Sequence, residues 1–196
     1  MCGLTGLYLT KQVDQQSSAW IDSLIHKMTA TLSLRGPDGF GKIIFFPIAF
    51  GHRRLSILDL SEAGAQPMQL HKNGPIITYN GEVYNFQDLR RELESQGCTF
   101  RGHSDTEVIL NVYANWGLPG LKRLEGIFAL AIWDPCNQRL LLMRDRFGVK
   151  PLFYGESTYG LAFGSEIKSV LAAGGVDNRL DEQVFSEYLW YGNSFQ

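Results

Sequence analysis

The sequence predicts an α+β protein in which two mostly antiparallel sheets pack face to face with helices outside. Three observations predict it. The strands of the second half run hairpin to hairpin, which joins neighbours antiparallel. The apolar strands are too many for a single sheet to cover on both faces, so a second sheet is the natural cover. The helical segments are amphipathic, each with one stripe to lay on a sheet.

Cys2–Thr10 reads as a strand in which Leu4, Leu7, Tyr8 and Leu9 are interleaved with Gly3 and Gly6. Glycine weakens a strand, so two of them imply that something approaches this backbone closely. Trp20, Leu24, Ile25, Met28 and Leu32 recur at helical steps and predict a helix over Ser18–Leu34. Arg35-Gly36-Pro37-Asp38-Gly39 breaks it. Ile43–Phe46 and Ala49–Leu55 read as a hairpin turning near Pro47. Ile76–Asn80 is a strand ending in an Asn80-Gly81 turn. Asn85–Ser95 is an amphipathic helix with Gly97 just past its end. Ser104 and Glu107 stand at capping-box spacing and open a helix that runs to Trp116, with Gly117 as its stop. Ile127–Asp134 and Arg139–Arg144 form a hairpin across Pro135–Gln138, and Leu152–Tyr154 with Leu161–Gly164 a second one. Ser165–Ala173 and Asp181–Tyr191 close the chain as helices. The last is rich in aromatics and stands directly before Gln196, a poor natural end, so a further domain is expected beyond it.

A chain of 196 residues suits one domain. At 44% apolar and 19% charged residues it has the composition of a folded globular protein rather than a disordered one. A formal charge of -2 predicts no nucleic-acid partner and no acidic-membrane partner. Cys2, Cys98 and Cys136 form no CxxC pair, which argues against a disulfide framework and for a reducing compartment. No signal peptide and no membrane span are expected. A cytoplasmic enzyme or binding protein fits these bounds. Nothing sets the oligomeric state, and a homodimer is among the arrangements left open.

Three familiar chemistries fail. Gly36 through Lys42 has the GxxxxGK spacing of a phosphate loop, but Ile43 occupies the Ser/Thr position and the order is helix, loop, strand. The four histidines and three cysteines show no zinc-ligand spacing. No GxSxG elbow supports a serine triad.

What remains is dispersed. Cys2 follows the initiator methionine, which is usually trimmed before a small residue. A terminal cysteine carries a thiol and an α-amine of pKa about 7.7–8.0, so the amine can take the thiol's proton without a histidine. The plain alternative is a small apolar residue starting a strand. Arg53 and Arg54 end an apolar strand, and a guanidinium fork suits a carboxylate. They also fit an ordinary surface. Asn80 offers an amide donor, and Gly81 lets its own N–H face a pocket; together they suit a developing oxyanion, or a plain hairpin turn. Asp105 places a carboxylate in the first turn of a helix, where it also simply favours the helix dipole.

Taken together, six stretches occur in register: Met1-Cys2-Gly3, Arg35–Gly39, Gly51–Ile57, Tyr79–Asn85, Ser104–Glu107 and Arg144–Leu152. In this order they resemble the glutaminase domain of class II glutamine amidotransferases, the N-terminal-nucleophile kind. Among these the chain most resembles the N-terminal domain of glutamine-dependent asparagine synthetases, over residues 1–196. The resemblance implies an αββα sandwich, in agreement with the two-sheet reading. It implies Cys2 as nucleophile, with the Asn80 side chain and the Gly81 N–H as oxyanion donors. It implies Arg54 rather than Arg53 on the glutamine carboxylate, and Glu82 with Asp105 at the α-amine. Main-chain groups around Ile57 and Leu58 would line the same pocket.

The resemblance further implies L-glutamine as substrate and a C-terminal synthetase domain as recipient of the ammonia. The family's Ser-Gly-Gly-x-Asp-Ser loop does not occur in these residues. ATP and magnesium are therefore expected only in that other domain, and no cofactor is expected in this one. A different acceptor carboxylate, or a non-catalytic module that has kept the fold, are the alternatives.

Overall fold

The computed structural model describes residues 1–10, 18–55 and 64–192. In chain order its elements are β1 (Gly3–Leu9), α1 (Ser18–Ala30), β2 (Gly39–Phe45), β3 (Ile48–Arg54), β4 (Met68–Gln69), β5 (Ile76–Val83) and α2 (Phe86–Ser95). They continue as α3 (Asp105–Leu121), β6 (Gly126–Asp134), β7 (Arg139–Arg144), β8 (Phe153–Ser157), β9 (Gly160–Gly164), α4 (Ile167–Leu171) and α5 (Glu182–Tyr191).

The strands form two sheets, ordered β2-β3-β1-β9-β8 and β4-β5-β6-β7. Every pairing is antiparallel. Period-two alternation then sorts the side chains into three layers. Leu4, Ile48, Phe50 and Phe163 of the first sheet meet Ile76, Ala129, Ala131 and Trp133 of the second. On the outer face of the first sheet, Leu7, Leu9, Ala49 and Ala162 carry Ile21, Ile25 and Met28 of α1 and Val170 of α4. On the outer face of the second, Ile77, Phe128, Leu130 and Ile132 carry Leu89 and Leu93 of α2 and the buried start of α3. The result is the expected αββα sandwich. Both faces of each central strand are buried, which is why β6 reads as an unbroken apolar run. At about 1.5–3 kcal/mol per fully buried large side chain, these layers supply the driving force that holds two sheets in register.

The close approach expected at β1 is core packing. A Cβ on Gly6 would lie 2.3 Å from Phe163 Cζ and 2.9 Å from Phe50 Cδ1. Those two rings stack edge to face above it at 5.6 Å. The phosphate-loop glycines have a similar explanation. A Cβ on Gly36 would meet the Arg53 carbonyl carbon at 2.4 Å, and one on Gly41 the Gln66 carbonyl oxygen at 1.9 Å.

Several boundaries differ from expectation. The Asn80-Gly81 turn is absent: β5 runs on to Val83, with Asn80 opposite Ala129 and Gly81 opposite Phe128. The long partner β6 overrides the local turn preference of an Asn-Gly pair. The first hairpin starts at Gly39, four residues before Ile43. The helix drawn over Ser18–Leu34 ends at Ala30. There Thr29 and Thr31 hydroxyls donate to the Ile25 and Met28 carbonyls, at 2.6 and 2.7 Å. Gly117 does break α3, at φ 62°, but a further turn follows through Leu121. The short β4 was not anticipated, because two residues carry no period. The helix expected over Asp181–Tyr191 spans Glu182–Tyr191, with Asp181 as its cap, accepting from Gln183 and Val184 N–H.

Gly6→Ala is expected to destabilise the fold by about 1–3 kcal/mol, the usual cost of overpacking a filled core. Urea unfolding measures it, and an unchanged midpoint would show that the ring pair yields freely.

Candidate active site

The site forms where the two sheets meet at one end. Cys2 directly precedes β1, whose first residue, Gly3, pairs with Arg53 on β3. The Leu55 N–H points at Cys2 Sγ from 3.3 Å, and the sulfur lies 3.5 Å from the Leu55 carbonyl. Behind it, Arg35 Nε donates to the Cys2 carbonyl at 2.9 Å, and Arg35 Nη1 reaches Glu166 Oε1 at 3.3 Å. The Arg-Gly-Pro-Asp-Gly break is therefore a brace for the main chain of the cysteine.

A cavity of about 110 Å³ opens in front of the sulfur. Cys2, Arg54, Asn80, Gly81, Glu82 and Asp105 all line it. Ile57 and Leu58 lie outside the described residues. Six of the eight residues nominated from the sequence thus converge on one place, although they come from β1, β3, β5 and α3. Arg53, one residue before Arg54, does not line the cavity; its guanidinium sits over the Phe40 ring at 5.1 Å.

Asn80 is 2% exposed, and its Nδ2 has no hydrogen-bond partner among the described residues. A buried donor left unmatched costs about 1–3 kcal/mol. Its retention beside a cysteine thiol fits a donor kept for a ligand oxygen. Gly81 is obligatory on packing grounds, since a Cβ would stand 2.2 Å from the Ile127 carbonyl oxygen.

Asp105 begins α3 behind the Ser104 cap, whose hydroxyl accepts the Glu107 N–H at 3.4 Å. Instead of closing a reciprocal capping box, the Glu107 carboxylate accepts the N–H groups of Arg101 and Gly102, both at 2.9 Å. Asp105 Oδ2 accepts the Tyr79 hydroxyl at 2.7 Å and the Val83 N–H at 3.2 Å. Burial pushes the Asp105 carboxyl above the ordinary aspartate range, and nearby Glu82 pushes the same way. The hydrogen bonds from Tyr79, Val83 and Thr106 offset only part of this. A cation brought to this corner would relieve the cost.

Among the cavity residues given no site role from the sequence are His52, Gln66, Tyr79 and Lys150. His52 is buried and faces the Tyr79 carbonyl with Nε2 at 3.1 Å. Burial lowers its pKa to about 4, so it is neutral at pH 7 and Nε2–H is the donor. Gln66 and Tyr79 carried no signal of their own. Lys150 lay inside the Arg144–Leu152 stretch, which marks a family without naming a role. Asp145 folds that stretch by accepting N–H groups of Phe147, Val149 and Lys150, each at 3.0 Å. This places Lys150 on the rim, with its Nζ 3.3 Å from Met1 Sδ. Among the described residues no group of three or more His, Cys, Asp and Glu side chains is placed to hold a metal ion. Likewise, among the described residues, no helix is long and apolar enough to cross a membrane.

Residues 1–196 match the family described as the glutamine amidotransferase domain. The chain belongs to that family. It is 42% identical to asparagine synthetase [glutamine-hydrolyzing] 3 of Bacillus subtilis, over 99% of this chain and 31% of that protein. It is 36% identical to amidase chyE of Penicillium rubens, over 89% of this chain and 27% of that one. The chain thus spans under a third of either relative. In fold, this amidotransferase domain superimposes on the glutamine phosphoribosylpyrophosphate amidotransferase of B. subtilis with a TM-score of 0.73. That match has 20% identity and covers 89% of this chain and 44% of the other. The family and the αββα sandwich implied by the six sequence stretches are both borne out.

The raised Asp105 pKa has a linkage consequence. Its folded value lies above its unfolded one, so the ionised carboxylate costs stability at neutral pH. That cost vanishes as the pH falls through the folded pKa. The stability of wild type relative to Asp105→Asn is therefore expected to rise between about pH 7 and pH 4. Denaturant titrations at several pH values test this, and a flat or falling difference would contradict the placement of this charge.

Proposed function

We propose that this domain hydrolyses the side-chain amide of L-glutamine and hands the ammonia to a synthetase domain of the same protein. The carrying observation is the shared cavity. It joins a thiol at the second residue to an unmatched buried amide donor, and lines one small volume with Arg54 and two carboxylates. Family membership points to the same chemistry.

In this reading Met1 is removed and the α-amine of Cys2 takes the thiol proton. Sγ attacks the amide carbon of glutamine, forming a tetrahedral adduct. Asn80 Nδ2 and the Gly81 N–H hold the oxyanion. The ammonium of Cys2 returns its proton to the departing nitrogen, and ammonia leaves a thioester. Water then releases glutamate and restores the thiol. Arg54 takes the α-carboxylate while Asp105 and Glu82 take the α-ammonium, which converts binding into orientation of the amide. With both charges read, a ligand lacking either leaves a buried group unpaired and binds more weakly than glutamine.

The ammonia acceptor in this proposal is aspartate, activated by ATP and magnesium in the other domain, as the resemblance to glutamine-hydrolysing asparagine synthetases suggests. A different acceptor carboxylate is the second reading, favoured by the 36% identity to a fungal protein named an amidase. Incubating the whole protein with glutamine, ATP and aspartate separates the two: asparagine forms in the first case and is absent in the second. A protein of this kind is expected in the cytoplasm.

Cys2→Ala is expected to abolish glutamate release, and Asn80→Ala to lower kcat by about 10²–10³, the usual effect of losing one oxyanion donor. Full activity in Cys2→Ala would show that Cys2 is not the nucleophile, whereas background-level release by wild type and variant alike would leave only a non-catalytic module. Protein that retains Met1, verified by intact mass, is expected to be inactive, because the nitrogen of Cys2 is then an amide with no basic lone pair. Turnover by such a sample would overturn the amine's role as base.

A further inference from the structure

Tyr79 is 3% exposed and stands on β5 immediately before Asn80. β4 covers β5 only opposite Ile76 and Ile77, so among the described residues the edge beyond it has no strand partner. Two side chains complete that edge. Gln66 Oε1 accepts the Tyr79 N–H at 2.7 Å, and His52 Nε2 donates to the Tyr79 carbonyl at 3.1 Å. Gln66 in turn donates from Nε2 to Thr106 Oγ1 on α3 at 3.2 Å. The ring points to the opposite face from Asn80, into the layer under α2 and α3. A phenylalanine would fill that space equally well. The hydroxyl is the single polar atom of the side chain there, and it donates to Asp105 Oδ2 at 2.7 Å.

We propose that Tyr79 is a positioning residue that ties the amine-binding carboxylate of Asp105 to the oxyanion corner at Asn80 and Gly81, so that the two ends of glutamine are measured against one rigid unit. This rests on the glutaminase reading above. Burial and the neighbouring Asp105 charge keep the phenol protonated, so it remains a donor and Asp105 the acceptor. The donor supports the ionised form of Asp105 in surroundings that otherwise disfavour it. The other charged or titratable groups facing this corner are Glu82 on β5, Cys2 at β1, Arg54 and His52 on β3, and Lys150 on the rim. Glu82 opposes ionisation of Asp105, so the Tyr79 hydroxyl acts against it.

The test is Tyr79→Phe, compared with wild type in Met1-free protein. KM for glutamine is expected to rise about ten-fold with kcat nearly unchanged, the range for loss of a hydrogen bond to a charged group. The acid limb of kcat/KM is expected to move to higher pH, because Asp105 loses a bond that favoured its charged form. The inhibition constant of glutaramate, which has the carboxylate and amide of glutamine but no α-amine, is expected to stay at the wild-type value. Equal losses for glutamine and glutaramate with an unmoved acid limb would mean a general packing defect and would overturn the assignment. So would a variant that matches wild type throughout. Should Tyr79→Phe fail to fold, Gln66→Met releases the Tyr79 N–H and is expected to give the same split between glutamine and glutaramate. A wild type that neither cleaves nor binds glutamine sinks the glutaminase reading itself, whereas a normal wild type with an indifferent Tyr79→Phe sinks this assignment alone.

Discussion

Face-to-face packing of the two sheets is the constraint on which the site depends. Cys2 and Arg54 belong to the first sheet, Asn80 and Gly81 to the second, and no local segment brings them together. Their separation is fixed by the layer of Phe50, Phe163, Trp133 and their neighbours, and a change of layer thickness would open the gap between sulfur and amide donor. Near the cavity the hydrophobic layer gives way to directional contacts between the sheets. His52 reaches the Tyr79 carbonyl, and the Thr78 hydroxyl reaches the Gly51 carbonyl at 3.4 Å. Non-directional burial supplies most of the adhesion, while these bonds set the register at the end where chemistry would occur.

The polar groups around the cavity are arranged at a cost to the empty protein. Asn80 Nδ2 is buried without a partner, and Asp105 is desolvated beside another carboxylate. Neither arrangement helps the fold. Both become favourable when a ligand supplies an oxygen at one point and a cation at the other. Destabilised polar groups that converge on one cavity are what a preorganised site requires, since donors aimed in advance need no reorganisation when charge develops. By contrast, the buried Trp133 Nε1 also lacks a partner among the described residues, but Trp133 lies in the layer between the sheets and does not line this cavity. It is a packing compromise in which the ring's apolar burial outweighs one lost hydrogen bond.

Much of this was legible in the sequence, for physical reasons that also explain the rest. Strand and helix periodicity follow from burial, so the two sheets and their flanking helices could be read from Leu4, Ile25, Leu89 or Ile132. The Asn80-Gly81 pair shows the limit. Locally it prefers a turn, yet β6 offers partners through Gly126, and eight consecutive pairs outweigh a two-residue preference. The function suggested for those two residues did not need the turn, because a strand residue can equally present its side chain to a sheet interface. Gln66, Tyr79 and His52 were invisible for a different reason. Their importance lies in pairing across 13 and 27 residues of chain, and no residue type announces a partner at that distance. Arg35 appeared only as part of a turn, although its guanidinium braces Cys2 from 33 residues away.

The relatives divide the protein's chemistry along a line the site itself suggests. A synthetase for asparagine and a protein named an amidase resemble this chain at 42% and 36% identity, so similar domains occur in proteins of different names. The shared fold alone would not carry a function. What this domain adds is a cavity of about 110 Å³ that brings Cys2, Arg54, Asn80 and Asp105 together. In the proposed reading, the residues that line it discriminate charge on glutamine and leave the molecule that receives the nitrogen unspecified. Selectivity for glutamine and selectivity for the acceptor are therefore separable problems. In the proposed reading the first is met here, by Arg54, by Asp105 and by the Tyr79 hydroxyl that donates to Asp105. The second would then fall to another part of the protein, open to exchange without disturbing the sheet interface on which the first depends.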